Sequence, residues 1–259
     1  MTEQTPRIGA VVLAGGRVPA PLAGLCTHRA LLRINGRFML EYLLDVLAAT
    51  PSVVGIAVAS APEVLAELAD SRCRKVPEGG SLVDNMQLGA RALAETRATH
   101  LLFITGDIPL VTVEGIEDYI RSSLSCGAAL TYPIIPREAC EARFPGARRT
   151  YVRLREGTVT GGNAVFTTAS LLDDQRDLIQ GLYAARKQPL KLAQLLGWAT
   201  VFRMLTGTLD LPYIEAVAGR ILHAPAKAII TRYAEIGFDV DKPGDLQAVE
   251  QALASERAC

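Results

Sequence analysis

Asp107 follows directly on the apolar run 101–105, in the stretch Thr105-Gly106-Asp107-Ile108-Pro109-Leu110. A carboxylate there stands at the carboxyl end of an expected buried strand, the end at which open α/β sheets bind ligands. Its oxygens are hard donors suited to Mg²⁺, an ion that travels with substrate phosphates. The same residue would also serve as a turn or helix-capping Asp. Two more carboxylates lie far down the chain, in Gly237-Phe238-Asp239-Val240-Asp241-Lys242-Pro243. If that stretch is extended, Asp239 and Asp241 point to one side, because side chains alternate with period two. One of them then offers a second carboxylate to the cation, or else caps the helix that follows.

Groups that could hold phosphate are grouped as well. In Val11-Val12-Leu13-Ala14-Gly15-Gly16 an apolar run ends in paired glycines, without the G-x-G-x-x-G spacing of a dinucleotide fold. Paired glycines let backbone approach an anion, and successive N–H groups form a nest for it; a tight strand-to-loop turn needs the same residues. Gly79, Gly80 and Ser81 precede a helical pattern, so the N–H groups of that helix start could hold an anion or simply be capped by Ser81. Asn85 lies one turn further on. The segment Arg148-Arg149-Thr150-Tyr151-Val152-Arg153 is basic, and Gly161-Gly162-Asn163 follows it across an expected turn. Arg149, Gly162 and Asn163 suit an acceptor phosphate and its hydroxyls; the alternative is a solvated hairpin.

These residues require a scaffold that presents strand ends on one rim. Strand patterns at residues 8–14, 53–59, 100–105 and 128–133 alternate with helical patterns at 38–49, 62–69, 81–96 and 113–124. Such alternation predicts an α/β fold, a three-layer α/β/α sandwich on a mostly parallel, doubly wound sheet. Residues 134–150 read as an excursion. Residues 151–154 and 163–166 read as short strands around a turn at 155–162. Residues 169–222 read as almost wholly helical, broken at Pro189, Gly197, Gly207 and Pro212, an elaboration on the acceptor side that covers the core or meets a second copy in a homodimer. Short extended pieces at 226–230 and 237–240 lead to a closing helix at 243–254. We expect one domain over 1–259, with a nucleotide half (1–133), an acceptor half (134–234) and a closing segment (235–259).

Composition narrows the function. Hydrophobic residues make up 49% and aromatics 5%, as expected for an aliphatic core under helices. Lys plus Arg and Asp plus Glu both total 27, so the basic footprint of a nucleic-acid binder is missing. No apolar run is long enough for a membrane span. Five scattered cysteines without C-x-x-C spacing suit reduced thiols in the cytoplasm. His28, His100 and His223 show no metal spacing.

Taken in order, the motifs resemble the MobA-like nucleotidyltransferase family of the GT-A-type fold. The matching residues are Leu13-Ala14-Gly15-Gly16, the stretch from Arg29 to Leu40, Gly106-Asp107-Ile108-Pro109, Gly161-Gly162-Asn163 and Asp239-Val240-Asp241-Lys242-Pro243. The resemblance implies that Leu13, Ala14, Gly15 and Gly16 wrap the NTP, that the loop of Gly79, Gly80 and Ser81 meets the base, and that Asp107 with Asp241 or Asp239 holds Mg²⁺. It gives Arg29 a catalytic, charge-offsetting role where the family usually carries Lys. Val18 and Ala20 stand where Gly and Arg are usual, and Arg17 is close enough to substitute. The implied activity is transfer of a nucleoside monophosphate from an NTP to a small phosphorylated acceptor. Two other classes compete. A GT-A glycosyltransferase would show Asp-x-Asp after the strand, where this chain has one carboxylate. A non-catalytic nucleotide binder would tolerate the altered first loop.

Overall fold

The computed structural model describes residues 6–16, 18–69, 71–174 and 197–257. The core begins with β1 (Ile8–Leu13), whose side chains leave the sheet on alternate faces. Ile8, Ala10 and Val12 enter one hydrophobic cluster and Val11 another. The strands β4 (Val53–Ser60) and β6 (His100–Thr105) divide in the same way: Ile56, Val58, Leu102 and Ile104 face the first cluster, Ala57, Ala59, Leu101 and Phe103 the second. Strands buried on both faces need helices on both, and that makes three layers. Helices α1 (Met39–Ala49), α2 (Pro62–Glu67) and α4 (Val113–Ser125) cover the first face, α3 (Leu82–Ala92) and α6 (Ala169–Asp174) the second. Each fully buried Val or Ile side chain contributes about 1.5–3 kcal/mol by leaving water.

The sheet has nine strands. A path β5-β4-β1-β6-β10-β7-β9-β8 includes β5 (Cys73–Pro77), β7 (Leu130–Pro136), β8 (Val152–Leu154), β9 (Gly157–Gly161) and β10 (Ala164–Thr168). β11 (Ala226–Ile230) joins β7 in parallel. The pairs among β5, β4, β1 and β6 are parallel, and β10 is antiparallel to β6 and β7. A separate short hairpin pairs β2 (Arg33–Ile34) with β3 (Arg37–Phe38). The chain runs from β1 outward to β4 and β5, then returns to β6 on β1's other side. The order therefore reverses between β1 and β6, which opens a crevice beyond their carboxyl ends.

Several elements differ from expectation. The strand β5 is additional, and the turn expected at 155–162 is largely β9. The excursion at 134–150 contains the end of β7 and helix α5 (Arg137–Arg143). Pro212 starts helix α8 (Leu211–Leu222), where its missing N–H costs nothing, and does not break one. Helix α7 (Trp198–Leu205) buries none of its residues, contrary to the expected core cover; Arg203 stacks over Tyr213 of α8 instead. The break at Pro189 lies outside the described residues. Helix α9 (Pro243–Arg257) closes the chain. Among the described residues no helix is long and apolar enough to cross a membrane.

Candidate active site

The crevice beyond β1 and β6 is a cavity of about 1280 Å³. Its wall includes Leu13, Gly15 and Gly16 from the end of β1, and Thr105 and Asp107 from the end of β6. Gly16 has φ +111°, a conformation that L side chains rarely adopt, so this turn depends on glycine. Ser60, at the end of β4, ties two loops together. Its hydroxyl donates to Ala14 O (2.8 Å), and its carbonyl accepts from Glu78 N (2.9 Å). The loop of Glu78, Gly79, Gly80 and Ser81 lines the cavity, as does Asn85. Ser81 caps α3 by accepting from Asp84 N (3.1 Å), and Asn85 Oδ1 accepts from Gly79 N (2.6 Å), which fixes the loop. Gly162 and Asn163 complete the far wall at the crossing between β9 and β10. There Gly162 N donates to Pro133 O and Asn163 N to Ile236 O, both at 2.8 Å.

The carboxylates converge on Arg29. This residue begins a 3-10 turn, Arg29–Leu31, capped by His28, whose Nδ1 accepts from Ala30 N (3.4 Å). Arg29 Nη1 lies 2.7 Å from Asp107 Oδ2, and Nη2 lies 2.6 Å from Asp241 Oδ1 and 3.7 Å from Asp239 Oδ2. Nη2 also donates to Val240 O (2.8 Å). Phe238 and Val240 are buried, so the period-two alternation turns Asp239 and Asp241 the other way, toward Arg29. Val240 N donates to Asp107 O (3.1 Å), which locks this segment to the end of β6. The helix cap comes from neither Asp239 nor Asp241: Asp245 Oδ2 accepts from Asp241 N and Lys242 N, both at 3.1 Å.

Charge is unevenly matched here. Arg29 Nε is buried without a hydrogen-bond partner, at a cost of about 1–3 kcal/mol. Bonds to charged groups contribute about 1.5–3 kcal/mol each, so the two carboxylate contacts outweigh the orphaned nitrogen. The acidic groups are nevertheless held in a poorly solvated place. Burial pushes the Asp107 carboxyl above the usual carboxylate range despite Arg29 and a Thr105 hydroxyl 2.5 Å away, and Asp239 adds to the rise. Asp241 is raised by burial first and by the charge of Asp239 second. Burial holds His28 below its ordinary value, opposed by Glu78 and Glu63.

Not every expected residue faces the cavity. Ala14 is buried in the core at 4% exposure, with its N–H on Ala59 O. Arg149 does not point at the cavity: its guanidinium donates to Asp239 Oδ1 (2.5 Å) and Asp239 O (3.1 Å) and stacks over Phe238. Arg17 lies outside the described residues. Residues with no role assigned from sequence also appear in the wall: Glu78, Thr105, Tyr132 and His28. Thr105 was legible as the last residue of the apolar run that leads to Asp107. Tyr132, whose hydroxyl donates to Gly162 O (2.8 Å), carried no local signal.

Among the described residues no three or more His, Cys, Asp or Glu side chains are arranged to hold a metal ion, and Arg29 contacts both Asp107 and Asp241. The donor chemistry nevertheless fits Mg²⁺, which is bound by one or two carboxylates and completes its shell with water and phosphate. Asp107 Oδ2 and Asp241 Oδ1, both aimed at one guanidinium, are the pair that would hold it.

A parallel-centred sheet with a glycine-lined crevice at its switch point and acidic side chains across the rim is the framework of a ligand-binding open α/β fold. The chain belongs to the MobA-like NTP transferase domain family, whose model matches residues 10–189. A "hypothetical transferase" from Thermus thermophilus is 38% identical over 93% of this chain and 99% of its own, with a TM-score of 0.79. CMP:2-keto-3-deoxy-manno-octonic acid synthetase complexed with CTP aligns over 96% of this chain and 99% of its own, at 14% identity and TM-score 0.61. 4-Diphosphocytidyl-2C-methyl-D-erythritol synthase from Anaerococcus prevotii aligns over 96% and 97%, at 11% identity and TM-score 0.54. At such identities the last two speak to the fold alone. No curated protein matches the chain.

Proposed function

We propose that this protein transfers a nucleoside monophosphate from an NTP to a small phosphorylated acceptor and releases pyrophosphate. One observation carries the proposal: Asp107 and Asp241, 134 residues apart in sequence, meet on one guanidinium, that of Arg29, and both Arg29 and Asp107 line the same cavity as the Gly15-Gly16 turn. Family membership supports it. The Gly15-Gly16 backbone receives the triphosphate, and the loop from Glu78 to Ser81, braced by Asn85, receives the base. Gly162 and Asn163 face the acceptor from the opposite wall. Mg²⁺, held by Asp107 and Asp241 with Asp239 beside them, would neutralise charge on the phosphates when bound. An acceptor phosphate oxygen attacks the α-phosphorus in line. That nucleophile is already ionised near neutral pH, so the protein supplies position and charge and needs no general base. Arg29 offsets charge on the reacting phosphates, and Arg149 acts behind it by holding Asp239. The free thiols Cys26, Cys126 and Cys140 fit a cytoplasmic enzyme.

The test is pyrophosphate release from each of the four NTPs with Mg²⁺, over a panel of sugar, alditol and pterin phosphates. Release that depends on one acceptor class is expected. Nucleotide binding without release across the whole panel would overturn the proposal in favour of a nucleotide sensor.

A further inference from the structure

Between Asp107 and Asp241, where a divalent ion would have to sit, the chain supplies a cation of its own. Arg29 spends a separate nitrogen on each carboxylate: Nη1 on Asp107 Oδ2 at 2.7 Å and Nη2 on Asp241 Oδ1 at 2.6 Å. Magnesium requires its oxygens at about 2.0–2.1 Å. An ion shared by those two oxygens would therefore lie in the gap that the guanidinium fills. Guanidinium and ion exclude each other there.

The charges point the same way. Asp107, Asp239 and Asp241 carry three negative charges, and Arg29 and Arg149, both in contact with them, return two positive ones. A free divalent ion thus meets a site that is largely neutralised and whose best oxygens are already bonded. Arg29 is nevertheless not fully satisfied, since its buried Nε has no partner. It also lines the same cavity as Gly15 and Gly16. A polyphosphate seated there presents paired anionic oxygens, which match the planar fork of a guanidinium better than any single carboxylate oxygen does.

We propose that Arg29 is a built-in counter-ion that closes the two-carboxylate site to free divalent cations and leaves it when a polyphosphate draws its guanidinium away. The cation then enters with the nucleotide and not before it. This rests on the assignment of Asp107 and Asp241 made above.

The experiment measures Mn²⁺ binding to the full chain without nucleotide, from the loss of the free-ion electron paramagnetic resonance signal. Wild type, Arg29→Met, Arg29→Lys and Arg29→Met/Asp107→Asn are compared. Arg29→Met should bind Mn²⁺ at least about tenfold more tightly than wild type, the scale expected when a like charge a few ångströms away is removed from a partly buried site. The added Asp107→Asn change should abolish that gain, which locates the ion. Equal affinity of wild type and Arg29→Met, whether tight or weak, would overturn the proposal. If Arg29→Met does not fold, Arg29→Lys serves instead: its single ammonium should leave Mn²⁺ binding measurably tighter than wild type, and equality would again overturn it. The outcomes stay separate from those of the transfer assay. Mg²⁺-dependent pyrophosphate release by a wild type that also binds Mn²⁺ tightly without nucleotide would sink the counter-ion role and leave the transferase intact.

Discussion

Replacing Asp107 by Asn separates a functional carboxylate from a structural one. The change keeps the shape and removes one charge. In the wild type the Asp107 side chain, 14% exposed, accepts from Arg29 Nη1 at 2.7 Å and from the Thr105 hydroxyl at 2.5 Å. An Asn can keep both contacts: its Oδ1 faces Arg29, and its Nδ2 donates to the hydroxyl, which also accepts. The Arg29 bond stays charge-assisted through the guanidinium but loses the opposite charge on its acceptor, a loss of roughly 1 kcal/mol within the range of about 1.5–3 kcal/mol for bonds to charged groups. Arg29 meanwhile keeps Asp241 at 2.6 Å and Val240 O at 2.8 Å, so it is not left as an uncompensated buried charge. Against that loss stands relief from burying a charge and from the repulsion of Asp239. The carboxyl of Asp107 is raised, burial being the larger cause, so the folded state favours its neutral form more than the unfolded state does. Relief therefore exceeds loss at neutral pH.

The expected result is a chain as stable as wild type, or up to about 2 kcal/mol more stable, with pyrophosphate release lowered by at least about 10²–10³, the effect of removing one group that stabilises transition-state charge. Urea unfolding at pH 7.5 and a coupled pyrophosphate assay on the same preparation measure the two quantities. Destabilisation by 3 kcal/mol or more is what breaking a buried ion pair costs. That outcome would make Asp107 a structural partner of Arg29 and refute the reasoning. Release within a few-fold of wild type would refute it from the other side.

Arg29→Lys keeps the charge but loses the fork; turnover should fall by less than the roughly 10²–10³ expected for a lost donor, and complete loss of NTP binding in calorimetry would show that the planar geometry is indispensable. Gly15→Ala places a Cβ 2.6 Å from Glu78 Oε2, the free end of a flexible side chain. The melting point should therefore stay close to wild type, within about 0.5 kcal/mol of stability, while KM for the NTP rises roughly tenfold; an unchanged KM would move the nucleotide away from this turn. His100 stacks on Phe166 at 5.2 Å, and burial holds its pKa below 6.5. Because the unfolded chain then takes up the proton first, stability is lost as pH falls from 6.5 through the folded value, and urea midpoints at pH 7.5 and 5.5 should lie closer together in His100→Asn than in wild type.

How much of this was legible in the sequence depends on what buries each residue. β1 and β6 are apolar on both faces, so their runs stand out without any partner in view. β5 does not: only Cys73 and Val76 are buried, while Arg74 and Lys75 are exposed on an edge strand, where charge is expected. Helix α5 hid for a related reason, since Cys140 is its one buried residue and Arg137, Glu138, Glu141 and Arg143 are charged. Asp239 and Asp241 were readable because Phe238 and Val240 carry the alternation between them. Arg149 was expected beside the acceptor, and its guanidinium meets Asp239 and the Phe238 ring. A local cluster of arginines states a charge but not a direction, and here the nearest buried partners, Asp239 and the Phe238 ring, decided it.

The least legible feature is also the most consequential. Arg29 in place of the family's usual Lys looks conservative, because charge is kept and the positions it meets are more than 70 and 210 residues away in sequence. A single ammonium would have to serve both Asp107 and Asp241 from one nitrogen. A guanidinium assigns one nitrogen to each oxygen, adds Val240 O, and joins the end of β6 to the segment before α9. Sequence pattern placed the carboxylates at strand ends, but only their packing around one planar side chain gives that substitution a physical meaning: it sets how readily the acidic pair accepts another cation.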